Sequence, residues 1–384
     1  MLKFKFVIAA FLLLFCATLS SAEKTDSTEL KKGIQKYNSK NFIGALEDFN
    51  YYISSNSGDA DAFYWRALTR LEMGDNAKAI DDFNKVIALK PHFTMAYVKR
   101  GEARSRARDK AGAIEDYNQA ITFDANNGQA YLLRAKEKFS NKDYAGAEKD
   151  YSAAINIIAK NVDAYYNRGL ARIELEKYKD AFSDFSKVLK QNPNHEQAYF
   201  HRALARDHYQ DYKGALLDYN KAIELNAKDK LAFYNRAYTR RELNDFQGAI
   251  SDYDKAISID HKFAEAYFQR AETKHMIGET DDAIEDFSQL ISHFPYDKEA
   301  YFNRGIFFMD IEKNREAIAD FTKVIDLNSN DKEAHYLRGT VKLKIHDVEG
   351  ACLDLQMAEK IGEKRAKDLV KKYCKRNTHN LMLK

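Results

Sequence analysis

The chain has 384 residues, of which 45% are hydrophobic, 31% are charged and only three are proline. That composition excludes a disordered, collagen-like or proline-rich chain and leaves a folded protein with a large core. Its 61 Lys and Arg against 58 Asp and Glu give a net charge of +3, so long-range electrostatics recommend neither nucleic acid nor an anionic membrane as partner.

In chain order, the first segment pairs Lys3 and Lys5 with an apolar run from Phe6 to Leu14 and then the small residues Ser20-Ser21-Ala22. This basic, apolar and small-residue order predicts a cleaved export signal over residues 1–22. A retained anchor is the weaker reading, because the apolar core is short and the polar stretch Glu23 to Glu29 follows at once. Cys16 as a lipidated cysteine is weaker still, since Phe15 stands where that cleavage wants a small residue. Removal of Lys3 and Lys5 lowers the net charge to +1. Residues 23–25 read as a short linker.

A period of 34 residues then organises the chain. One column holds Ala45, Ala79, Ala113, Ala147, Ala181, Ala215, Ala249, Ala283, Ala317 and Ala351; four residues on come Phe49, Phe83, Tyr117, Tyr151, Phe185, Tyr219, Tyr253, Phe287, Phe321 and Leu355. Upstream, an Ala-aromatic pair recurs from Ala62-Phe63 to Ala300-Tyr301, with Ala334-His335 last. Each unit thus carries two amphipathic helices, and such a pair buries its apolar stripe only by stacking on neighbours. Met73-Gly74-Asp75 and Ile277-Gly278-Glu279 read as turns between the helices of a unit, with glycine at positive φ and an acidic cap after it. Lys90-Pro91 and Asn192-Pro193 mark where second helices stop.

This pattern resembles the tetratricopeptide repeat, a 34-residue helix-turn-helix unit. The resemblance covers residues 26–365 as ten tandem units. It implies an all-α fold: a solenoid of about ten repeats in a right-handed superhelix, with a concave groove lined by the first helix of each unit. Residues 366–384 are expected to form a C-terminal capping helix and a basic tail of charge +5, which reads as a solvated cap before a lipid-touching segment.

The departures from the family pattern are mostly charged. Where the family favours leucine the chain has Arg66, Arg100, Arg134, Arg168, Arg202, Arg236, Arg270, Arg304 and Arg338, with Lys32 in the first unit. Four residues later most units are basic again, Phe308 being the exception. An acidic column precedes the second-helix aromatic: Asp48, Asp82, Asp116, Asp150, Asp184, Asp218, Asp252, Asp286, Asp320 and Asp354. Two readings compete. In the favoured one the arginines fork onto aspartates of their own or the adjacent unit as a structural ion-pair ladder; in the other the cations face the groove and hold a polyanion.

Groove candidates come from the neighbouring columns: Tyr166, Phe200, Tyr234, Phe268 and Phe302, each followed by an amide or a histidine, Asn167, His201, Asn235, Gln269 and Asn303. If the helical phase holds, rings and amides on one face suit an extended peptide. The reading that this is only family consensus stands beside it. His201, His208 and His275 lack metal-ligand spacing, and no CxxC, HExxH, GxGxxG, Walker or GxSxG pattern occurs. No metal, no cofactor and no enzymatic activity is therefore expected. Cys352 and Cys374 carry no spacing code; idle thiols are the favoured reading and a disulfide the alternative. The sequence points to an exported scaffold or adaptor, periplasmic or associated with the cell envelope, or else secreted. It would bind a protein or extended peptide, with no transmembrane segment after signal cleavage and with nucleic acid disfavoured. A polyanion or glycan binder using the basic ladders and a passive structural spacer are the alternatives.

Overall fold

The structure, a computed structural model, describes residues 28–374. The proposed export signal, the linker and the tail beyond Cys374 lie outside the described residues. The chain divides into two compact units that meet at Pro193 and Asn194.

The first unit contains α1 (28–38), α2 (Phe42–Ser55), α3 (Ala60–Glu72), α4 (Asn76–Leu89), α5 (Thr94–Arg106), α6 (Lys110–Phe123), α7 (Gly128–Ser140), α8 (Tyr144–Ile157), α9 (Val162–Glu174) and α10 (Tyr178–Gln191). The second contains α11 (Glu196–His208), α12 (Tyr212–Leu225), α13 (Lys230–Glu242), α14 (Phe246–Ile259), α15 (Ala264–Met276), α16 (Thr280–His293), α17 (Lys298–Asp310), α18 (Asn314–Leu327), α19 (Lys332–Lys344), α20 (Val348–Lys360) and the short α21 (Ala366–Leu369), which runs into a π turn over Val370–Cys374. Among the described residues there is no strand, and the fold is an all-α solenoid of helix-turn-helix repeats. Within each unit consecutive helices pack together as antiparallel neighbours, the two helices of one repeat most extensively.

The alanine and aromatic columns explain this packing. Ala113, Tyr117, Ala147 and Tyr151 in the first unit, and Ala249, Tyr253, Ala283 and Phe287 in the second, are essentially inaccessible. Small residues of the first helices sit against the second-helix rings, as Gly33, Gly101, Gly169 and Gly305 do, and Gly339 sits against Leu355. At Gly101 a Cβ would fall 2.5 Å from Cε1 of Tyr117, so the two helices meet there closer than an alanine allows without moving the ring.

The turn inside each repeat is as periodic as the core. Residues 40, 74, 108, 142, 176, 210, 244, 278, 312 and 346 all have positive φ, yet only Gly74 (φ 81°) and Gly278 (φ 88°) are glycine. Lys142, Glu176 and His346 adopt the left-handed conformation because the helices on either side impose it. Asp75 caps α4 by accepting from the Lys78 amide, and Asp109, Asp143, Asp211, Asp245 and Asp347 do the same for their helices. Glu279, expected to cap α16, makes no cap bond; its longer side chain extends instead toward Gln247. The second helices that precede Pro91 and Pro193 end at Leu89 and Gln191.

The two cysteines correct the favoured expectation of idle thiols: Cys352 on α20 and Cys374 at the end of the π turn form a disulfide. The turn after α20 folds the final residues back so that Ala366, Val370 and Cys374 bury against Leu355 and Ala358, which brings the two Cα atoms to 5.5 Å. Arg365 helps to hold this cap. It binds Glu363 and Glu333 and lies 4.4 Å over the Tyr336 ring. Replacing Cys352 with serine is expected to remove about 3 kcal/mol of closure from a 22-residue separation. The expected readout is faster tryptic cleavage at Lys367 and Lys371 with no change in cleavage of α11 to α18; an unchanged rate at the two lysines counts against it.

Candidate functional site

The charged columns meet inside each repeat. Each of the nine arginines forks onto the aspartate sixteen residues later, from Arg66 and Asp82 to Arg338 and Asp354, with Nη2–Oδ1 distances of 2.5 to 2.8 Å. The guanidinium also lies 5.3 to 5.6 Å over the aromatic ring three residues before it, in the eight repeats from Phe63 and Arg66 to Tyr301 and Arg304. A further nitrogen reaches back sixteen residues to the preceding second helix, as Arg100 does to Asn84, Arg134 to Asn118 and Arg236 to Asn220. The second basic column closes on the same carboxylates. Arg70, Lys138, Arg172, Arg240 and Lys342 reach Asp82, Asp150, Asp184, Asp252 and Asp354 within 2.6 to 2.9 Å. In the first repeat Lys36 binds Asp48, while Lys32 turns to Glu29.

Burial and the paired cations oppose each other at these carboxylates, and the balance differs between repeats. Burial pushes the Asp354 carboxyl up, but Arg338 and Lys342 more than offset it and leave it below its usual range. Burial also acts on Asp320, where Phe308 replaces the second cation and Arg304 alone does not compensate, so that carboxyl is raised. Asp116 is raised as well, burial outweighing Arg100 and Arg104.

The groove candidates are only in part a free surface. Tyr166, Tyr234, Phe268 and Phe302 are half-buried and Phe200 is buried. Each leans on the second-helix aromatic nineteen residues later at 5.5 to 5.9 Å between ring centres: Tyr166 on Phe185, Phe200 on Tyr219, Tyr234 on Tyr253, Phe268 on Phe287 and Phe302 on Phe321. The column is therefore the edge of the core as well as the floor of the first-helix face. The amides bond within the protein. Asn167, Asn235 and Asn303 donate to the carbonyls of Asp163, Leu231 and Glu299 one turn earlier, and the His201 ring bonds the Gln197 carbonyl. Gln269 accepts from Arg241 at 2.7 Å. Each asparagine keeps its carbonyl oxygen and one N–H for another partner.

Two cavities of about 260 Å³ each open along this face in the second unit. One lies among Leu204, Asp207, Asn235 and Tyr238, with Tyr234 as a wall. The other has Tyr234, Phe268 and Leu290 as apolar walls and Glu265, Asp297 and Glu299 at its rim. Glu265 and Glu299 share a column with Asp61, Asp163 and Glu333, and Asp297 shares the helix-cap column of Asp59, Asp229 and Asp331. Asp207 stands where other repeats have Leu71, Ile173, Met309 and Leu343. It accepts from the Tyr219 hydroxyl at 2.9 Å and the Thr239 hydroxyl at 3.0 Å, and burial raises its carboxyl to about 6. The same column also holds Ser105, Arg241 and His275, so position alone does not mark Asp207 out. Among the described residues no group of three or more His, Cys, Asp or Glu is placed to hold a metal ion, and no helix is long and apolar enough to cross a membrane.

Comparison with known proteins agrees with this geometry. Tetratricopeptide repeat profiles match residues 30–92, 66–130, 162–195, 265–295 and 298–331, and a TPR repeat profile matches 237–278. No curated protein matches the sequence. The C-terminal part of a TPR repeat-containing protein from Cytophaga hutchinsonii is 21% identical with a TM-score of 0.55, over 62% of this chain and 97% of that one. A tetratricopeptide repeat protein from Parabacteroides merdae is 25% identical, over 64% of this chain and 97% of that one, with a TM-score of 0.47. YrrB, described as a TPR protein with an unusual peptide-binding site, is 22% identical over 48% of this chain and 95% of its own, at 0.46. With profile matches over more than half its length and a stack of 34-residue helical hairpins throughout the described residues, the chain belongs to the tetratricopeptide repeat family.

Proposed function

We propose that this protein is a protein-interaction scaffold that holds an extended segment of a partner protein on the first-helix face of residues 194–374. The observation that carries the reading is the pair of cavities between aromatic side chains along that face, lined by the amides of Asn235 and Gln269. Apolar recesses flanked by a few placed polar groups are the chemistry of peptide recognition. The polyanion alternative loses its ligand-facing cations, because the arginine ladder is engaged with the protein's own aspartates. Export through residues 1–22 belongs to the same proposal and places the scaffold outside the cytoplasm.

The test is affinity capture from envelope extract at low and moderate salt, comparing wild type with a folded Asn167→Ala, Asn235→Ala, Asn303→Ala variant. A partner that wild type retains at moderate salt and the variant loses is the expected result. Equal capture by both removes the amides from the reading. Sequencing the N-terminus of the secreted product tests export, with Glu23 expected first.

A further inference from the structure

Charge is divided unevenly along the chain. Residues 364–384 hold eight Lys and Arg against Asp368 alone, a net charge of +7, whereas residues 23–363 hold 51 against 57, a net charge of −6. The near-neutral total hides a basic segment joined to an acidic body. An asymmetry of this kind marks a segment that meets an anionic partner.

The fold sets how that segment is presented. Ala366, Val370 and Cys374 turn inward against Leu355 and Ala358, and the Cys352–Cys374 disulfide pins them there. Lys364, Lys367, Lys371 and Lys372 are left exposed. Among the described residues none of these four takes part in an ion pair, and Asp368, one turn before Lys371 and Lys372, pairs with neither. Arg365 is engaged with Glu363 and Glu333. In the ladder every arginine has its aspartate; on the cap four ammonium groups have no carboxylate.

We propose that this cap docks on an anionic phospholipid surface. The free cations are all lysine, and a compact, strongly hydrated ammonium on a flexible stem suits a plane of fluid phosphate headgroups. Fixed carboxylates of a protein, or the phosphates of a nucleic acid, are better met by arginine forks, and Arg365 is already engaged. Single-stranded nucleic acid also needs rings on which bases stack, whereas Tyr373 is half-buried with Lys372 lying 5.0 Å over it. The sequence continues through Lys375 and Arg376 to Leu381-Met382-Leu383. Cations followed by apolar residues add contact with the acyl boundary to headgroup attraction. The charge of −6 on residues 23–363 is repelled by the same surface, which confines the contact to the cap.

The experiment uses residues 23–384, which retain every described residue and leave out the apolar run Phe6 to Leu14, itself able to bind lipid. Co-sedimentation is measured at low and moderate salt with vesicles of phosphatidylcholine alone and with about one-third phosphatidylglycerol. Binding to the mixed vesicles only, weakening as salt rises, is the expected result. Each lysine at the surface contributes about fivefold to partitioning. A Lys364→Gln, Lys367→Gln, Lys371→Gln, Lys372→Gln variant is therefore expected to lose on the order of a hundredfold, with an unchanged thermal melt because all four are exposed. A control variant, Lys213→Gln, Lys228→Gln, Lys255→Gln, Lys262→Gln, removes the same charge from exposed positions elsewhere in the second unit and is expected to stay within about threefold of wild type. Equal binding to both vesicles, no binding to either, or equal loss in the two variants overturns the proposal. If the mixed vesicles are left unbound while polyglutamate or single-stranded DNA is captured, the cap is a site for a soluble polyanion and the lipid proposal falls.

Discussion

Replacing Asp184 with alanine is expected to destabilise the protein by about 3–5 kcal/mol, the largest effect of any single change to the ladder. Asp184 is wholly inaccessible and accepts from Arg168 at 2.7 and 2.9 Å and from Arg172 at 2.6 Å. Its loss strands the Arg168 guanidinium, which is buried beside Tyr165, while Arg172 keeps its pair with Glu148. Asp320→Ala is expected to cost less, because Arg304 is more exposed than Arg168 and keeps a ring contact with Phe308. Urea denaturation at neutral pH of both variants, beside an Asp184→Leu, Arg168→Met, Arg172→Met combination, separates the effect of a stranded charge from that of a lost contact. The combination is expected to recover most of the stability, since an apolar replacement of a buried ion network removes its desolvation cost. A ΔΔG below about 1 kcal/mol for Asp184→Ala would sink this account of the ladder.

The second large effect depends on pH. Burial chiefly raises the Asp207 carboxyl to about 6, with Glu242 and Asp211 adding to the rise and the Tyr219 and Thr239 hydroxyls opposing it. A folded-state value above the unfolded value of 3.8 means that the folded protein holds this proton more tightly than the unfolded chain. The stability so contributed is complete below about pH 4 and is lost as pH rises through about 6. Asp207→Asn keeps an acceptor for both hydroxyls and never ionises. The variant is expected to match wild type near pH 4 and to exceed it by on the order of 2–3 kcal/mol at pH 7.5. Asp354 and Asp331 are depressed and lose stability as pH falls, so they tilt the profile the other way and cancel in the difference between the two proteins. Parallel melting curves for the two proteins from pH 4 to 7.5 would remove Asp207 as the source.

What could be read in the sequence divides along the same line as what is periodic. The alanine and aromatic columns announce the helix pairs because burial demands the same residue at the same phase in every copy, and the arginine and aspartate columns announce each other for the same reason. Their partnership within one repeat, rather than across two, follows from the hairpin, which sets residues sixteen apart face to face. The amide column was legible as a face but not in its bonding: a ladder of asparagines looks alike in sequence whether it awaits a peptide or, like Asn235, already donates to its own helix. Carboxylates outside the ladder carried the least signal. Glu265, Asp297, Glu299 and Asp207 occur among many carboxylates, and nothing along the chain tells an unpaired one from a paired one. Cys352 and Cys374 come together only because the turn after α20 reverses direction, a fact of tertiary geometry that their spacing does not encode.

The internal closure of the charge ladder bears on how such a chain grows. Every forked pair joins residues sixteen apart within one repeat, while the contacts these arginines make to the preceding repeat fall mostly on neutral groups such as Asn84, Asn118, Ser288 and Thr322, with the exposed Asp254 the exception; from the second basic column, Arg172 also pairs with Glu148 of the preceding repeat. Cutting the array between repeats thus leaves every forked aspartate with its arginine, whereas a cut between the two helices of a repeat parts them. Duplication or loss of whole 34-residue units in this frame passes from one folded protein to another, and the gene can change its repeat number without crossing an unstable intermediate.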